Sequence, residues 1–105
     1  MVRVSVLYPN TAGSRFDHDY YRDKHMPLAK ARLGAALISY GIDKAADAAA
    51  APYHAIGFLN FDSVTAFNDA FGPVSGEVLG DIPNYTDVEP ILQISDVVVA
   101  DSNEV

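Results

Sequence analysis

The chain has 105 residues, 50% hydrophobic and 20% charged, which bounds it to one globular domain and excludes two-domain dehydrogenases, TIM barrels and kinases. Seven basic residues against fourteen acidic ones give a net charge of −7, so phosphate backbones and anionic membranes are repelled and neither is an expected partner. With no cysteine there is no disulfide, thiolate nucleophile or Cys-ligated metal, and with no leader-like or bilayer-length apolar run a cytoplasmic protein is expected.

Val2 to Pro9 alternates and is rich in valine, which predicts a first strand. Asn10 to Arg15 is a polar loop. Phe16-Asp17 opens a helix whose first turn holds Asp17 and Asp19, where carboxylates suit the exposed N–H groups. It runs towards Gly34, and Pro27 predicts a kink or break at Met26. Ala35 to Asp43 reads as a second strand, Lys44 to Pro52 as a flexible alanine-rich connection, and Tyr53 to Phe61 as a third strand. Asp62-Ser63 caps a second helix with Val64, Phe67 and Phe71 at helical spacing. Gly72-Pro73 ends it, and Val74 to Leu79 adds a further turn or two. Gly80 to Pro90 is a turn-rich loop, Ile91 to Ala100 a fourth strand, and Asp101 to Val105 a frayed tail. The order β-α-β-β-α-β is that of the ferredoxin-like split βαβ: an α+β domain over residues 1–105, with a four-stranded antiparallel sheet and two helices on one face.

The third and fourth strands are apolar on both faces. Ala55, Gly57, Leu59 and Phe61 alternate with Ile56 and Phe58, and Ile91, Val97 and Val99 alternate with Leu92, Ile94 and Val98. Two helices cover only one face, so a homodimer packed through the open sheet face is expected. Ser5, Ser39, Gln93 and Ser95 place neutral polar groups in these apolar walls. Ligand pockets are built that way, and so are ordinary internal hydrogen bonds.

Phe16 to Leu28 holds the densest set of chemical groups. Tyr21 and His25 are four apart and share a helix face, with Asp17 one step further along the same ladder. Histidine suits proton transfer near neutral pH, and a tyrosine can donate to a carbonyl or a developing enolate. The same pattern also describes a helix end capped by its histidine. His18 reads as solvated and His54 as structural. No metal site is expected, since no His-x-x-x-His or Glu-x-x-His pair occurs. There is no phosphate-binding glycine loop, no Gly-x-Ser-x-Gly elbow, no serine with a neighbouring base and no carboxylate pair.

The opening strand V-S-V-L-Y-P, the motif F-D-x-D-Y-Y-x-x-K-H-M-P-L and the later D-I-P-N-Y-T-D-V-E-P-I-L-Q-I-S resemble the EthD family, named after a protein encoded with an ether-degrading monooxygenase system. The resemblance spans Val2 to Val99 and implies a dimeric α+β barrel of ferredoxin-like subunits. It marks Tyr20, Tyr21, His25 and Pro27 in the helix motif, and Pro83, Asn84, Tyr85 and Gln93 in the later one. Three functions stay open. In the first, the protein is a cofactor-free enzyme acting on an apolar or carbonyl-bearing metabolite as a lyase, isomerase, cyclase or monooxygenase-like catalyst. His25 is then the acid or base and Tyr21 its partner, while Tyr20, Pro27, Asn84, Tyr85 and Gln93 bind substrate. In the second it is a non-catalytic accessory protein that holds a hydrophobic metabolite or haem for an oxygenase. In the third it is a dimer without a ligand. Fold alone does not choose between them.

Overall fold

A computed structural model describes residues 1–102. The elements follow in the expected order: β1 (Val2–Pro9), α1 (His18–Tyr20), a π-helical turn (Tyr21–His25), α2 (Met26–Leu33), β2 (Ser39–Lys44), β3 (Tyr53–Phe61), α3 (Val64–Phe71), α4 (Ser75–Gly80) and β4 (Ile91–Asp96). The sheet order is β2-β3-β1-β4, and all three strand pairs are antiparallel. Each β-α-β crossover therefore skips one strand, as the split βαβ requires.

Alternation sends Val2, Val4 and Tyr8 of β1 and Ala55, Leu59 and Phe61 of β3 to the helix side. There they are buried with Met26, Ala29 and Leu33 of α2, Phe67 of α3 and Val78 of α4. The opposite parity, Leu7, Ile56, Phe58 and Ile91, faces away from the helices. On that open face Leu7 lies between Ile56 and Ile91 in register. Polar groups frame these residues. The Arg3 guanidinium lies 4.9 Å above the Phe58 ring, Arg3 Nε donates to Asn60 Oδ1 at 2.9 Å, and Asn60 Nδ2 donates to Ser39 Oγ at 2.8 Å.

Four stretches differ from the sequence-based expectation, each for a local reason. Pro27 does not break the first helix; the disturbance is taken up one turn earlier. Ala35 and Ala36 belong to a 3-10 turn (Gly34–Ala36) that closes the helix through Gly34 at φ +63°, so β2 begins only at Ser39. Lys44 to Pro52 is tied down. Lys44 extends β2, the Asp47 carboxylate accepts from the Ala49 and Ala50 N–H groups, and Asn10 Nδ2 donates to the Ala48 and Ala51 carbonyls. β4 stops at Asp96 because Asp96 already pairs with Val2 at the start of β1. Beyond it Val97 N reaches back to the Met1 carbonyl, and Val98 and Val99 are exposed. Of the expected frayed tail, residues 103–105 lie outside the described residues.

Candidate active site around His25

The helix motif is shaped by its cap and its proline. Asp17 is the N-cap: its Oδ1 accepts from Tyr20 N at 3.0 Å. That carboxylate serves the helix start, is exposed, and does not form the expected ladder with His25. In the next turn the Met26 N–H bonds the Tyr21 carbonyl, five residues back. In a plain α-helix Pro27 would offer no N–H and its ring would press on the Asp23 carbonyl; a wider turn just before it relieves both conflicts. The helix continues, and Tyr21, His25, Met26, Ala29 and Leu33 are all buried along it. Pro27 itself is exposed and borders a surface groove with Lys30, Gly34 and Ile38, away from His25.

His25 is buried and paired with a residue 56 positions away. Its Nδ1 lies 2.9 Å from Asp81 Oδ2, with the two side chains 5% and 14% exposed. Asp81 follows α4, where the chain turns into the 3-10 segment Ile82–Asn84. Its other oxygen accepts from the Tyr20 hydroxyl at 2.7 Å and from Asn84 Nδ2 at 2.9 Å. An ionised carboxylate only accepts, so the proton of the neutral imidazole sits on Nδ1 and Nε2 keeps its lone pair. Burial lowers the His25 pKa below its ordinary value, and the hydrogen bond and charge of Asp81 oppose this without overcoming it. For Asp81, burial pushes upward, but hydrogen bonds from Tyr20, Asn84 and His25 outweigh it and hold the carboxyl below the usual range. Both directions describe a neutral imidazole beside an ionised aspartate at neutral pH.

Aromatic rings wall this pair in. Tyr21 stacks on the imidazole with centroids 5.7 Å apart, and the Tyr85 ring lies 4.6 Å from it. The Tyr85 and Tyr8 hydroxyls bond each other at 2.7 Å. The Tyr21 hydroxyl is buried without a hydrogen-bond partner among the described residues. It rests over Gly57, where an added Cβ would collide with it. Burial pushes all three phenols far above their ordinary pKa, so they are donors at neutral pH. Between helices and sheet lies an apolar cavity of about 50 Å³, bordered by Tyr21, His25, Met26, Val6, Phe71 and Leu92. One water occupies roughly 10–15 Å³ by the same measure, so a small organic group has room to start from.

Of the residues marked in the sequence, Tyr20, Tyr21, His25, Asn84 and Tyr85 come together here. Pro27 does not, and neither does Gln93, which points to the open sheet face and donates to Ser95 Oγ at 3.0 Å. The Pro83 carbonyl accepts from Arg15 Nη2 at 3.1 Å. Asp81, which organises the site, carries no sequence signal of its own; it stands in the turn-rich loop that follows α4. A serine does have a neighbouring base: Ser14 Oγ lies 2.7 Å from His54 Nε2. The Ser14 proton, however, goes to the Thr11 carbonyl, so His54 supplies the N–H and no nucleophile is activated. His18 is half-buried against Phe16, and burial, then Lys44 and His54, lower its pKa. Among the described residues no three His, Asp or Glu side chains gather in metal-binding reach.

Fold and site together define a small α+β protein with a buried histidine paired to a half-buried aspartate. The chain is 48% identical to an EthD-like protein from Ralstonia eutropha JMP134, over 98% of this chain and 96% of that one, with a TM-score of 0.87. It belongs to the EthD family. An ethyl tert-butyl ether degradation (EthD) family protein from Bacillus halodurans C-125 shares the fold at 16% identity and TM-score 0.64, over 91% of this chain and 97% of that one. HapK from Hahella chejuensis shares it at 14% identity and TM-score 0.59, over 99% and 100%. No family model and no curated protein matches the sequence. No helix among the described residues is long and apolar enough to cross a membrane.

Proposed function

We propose that this protein binds a carbonyl-bearing organic molecule in the apolar cavity and moves a proton on it with its own side chains. His25 Nε2 takes the proton from the carbon next to the carbonyl. The C–H electron pair passes into the enolate, the Tyr21 hydroxyl donates to the enolate oxygen, and Asp81 holds the resulting imidazolium through Nδ1–H. Return of the proton to the same or a conjugated carbon restores His25. The observation that carries this reading is a buried, neutral imidazole whose Nδ1 is fixed by a carboxylate while Nε2 has no hydrogen-bond partner among the described residues. A base positioned in this way contributes on the order of 10² to 10⁴ in rate. Deuterium uptake into the methyl group of acetophenone, followed by NMR, tests it. The native protein should catalyse exchange and His25→Ala should not, with unchanged circular dichroism. Equal exchange by both proteins would remove His25 from the chemistry.

We also propose that two copies pair through the open sheet face. Leu7, Ile56 and Ile91 form a contiguous apolar row there, and Ile91 is 53% exposed in the single chain. Light scattering should give twice the chain mass at micromolar concentration, and Ile56→Lys should give a folded monomer. A monomeric native protein contradicts the pairing.

A further inference from the structure

We infer that the His25 cavity selects an uncharged ligand: an apolar body carrying one carbonyl or hydroxyl group, with carboxylates, phosphates and ammonium groups excluded. The inference takes from the proposed function only the place where the ligand sits.

The walls decide the charge. The Val6, Met26, Phe71 and Leu92 side chains offer no hydrogen bond, and among the described residues no lysine or arginine borders the cavity. A carboxylate or phosphate would lose its hydration there without meeting a cation. It would also face the lone pair of His25 Nε2, with the Asp81 charge behind the ring. An ammonium group fares no better. Among the described residues no carboxylate borders the cavity, and the Asp81 oxygens are taken by His25, Tyr20 and Asn84. What the site offers is one acceptor, His25 Nε2, and the Tyr21 hydroxyl as donor; the Tyr8 side chain also borders the cavity, but its hydroxyl is bonded to that of Tyr85. Tyr21 is 1% exposed, and its hydroxyl is the one buried side-chain polar atom without a partner among the described residues. Such an orphan donor is matched by a ligand oxygen that accepts a hydrogen bond without carrying charge. The scarcity of polar atoms limits the ligand to a single polar group, because a second would be buried unpaired.

Three probes of similar size separate the possibilities: acetophenone, benzoate and benzylammonium, titrated into the native protein at neutral pH with the His25 and Tyr21 ring resonances as reporters. Acetophenone should shift both rings saturably and bind at least tenfold more tightly than either ion. Tyr21→Phe, which keeps the ring and deletes the donor, should weaken acetophenone about tenfold and leave the ions unchanged. Benzoate or benzylammonium binding as tightly as acetophenone overturns the inference. So does the absence of any saturable shift with acetophenone, or full acetophenone affinity in Tyr21→Phe. Acetophenone binding without deuterium exchange leaves the ligand class standing and removes only the proton-transfer role.

Discussion

Two histidines in this molecule make short side-chain hydrogen bonds, and the chemistry of the partner separates their capabilities. His25 meets a carboxylate at Nδ1, 2.9 Å away, inside an apolar wall. His54 meets a serine hydroxyl at Nε2, 2.7 Å away, with its ring stacked on Phe16 near the start of β3. A carboxylate can only accept, so it fixes the tautomer and leaves Nε2 with its lone pair, on a residue that borders the cavity. A hydroxyl whose own proton is held by the Thr11 carbonyl takes the histidine N–H, and Nε2 is then occupied. The first arrangement orients a base; the second latches the Thr11–Ser14 turn to the sheet. A short histidine contact therefore carries no functional meaning until the proton on each atom is placed.

Substitutions can break this contrast, and they rank by size. His25→Ala should lower exchange by about 10² to 10⁴, the typical worth of a positioned base, in the deuterium assay. Asp81→Asn should cost less in rate but alter the pH profile. Asp81 raises the His25 pKa against burial, so removing its charge lets that pKa fall further. Activity that depends on neutral His25 is lost as pH falls through its pKa, so the acid limb of the profile should move to lower pH. A limb that stays in place or moves up contradicts the pairing. Gly57→Ala should displace the Tyr21 hydroxyl and destabilise the fold by about 1–3 kcal/mol, the usual cost of overfilling a packed site, read by urea denaturation. His54→Ala should lose only about 1 kcal/mol, the net worth of one hydrogen bond, with exchange unchanged. Loss of exchange in His54→Ala would give the second histidine a role denied to it here.

The sequence showed the scaffold more fully than the site because the two depend on contacts of different range. β1 and β3 are bounded by their own alternation. Ser63 caps α3 as expected, its hydroxyl accepting from Ala66 N. The shared face of Tyr21 and His25 follows from local spacing. The Asp81 partnership does not, because it joins a helix to a loop 56 residues later, and no periodicity encodes that approach. Ser14 and His54, 40 residues apart, were invisible for the same reason. The end of β4 was also non-local: Val97 to Val99 have strand propensity, but the ladder with β1 ends at the Val2–Asp96 pair. Pro27 marked the right helix, yet the chain answered it with a π-turn upstream, a choice that packing of Tyr21 and His25 against the sheet makes favourable.

The protonation of His25 underlies both the proposed chemistry and the ligand selection. Long-range ¹H–¹⁵N correlation of the histidine side chains across pH 5 to 8 reads it directly. His25 should show the Nδ1–H tautomer with an unprotonated Nε2 at neutral pH, and it should titrate below its ordinary 6.5. An Nε2–H tautomer, or a titration midpoint above that value, would contradict a neutral base held ready by Asp81.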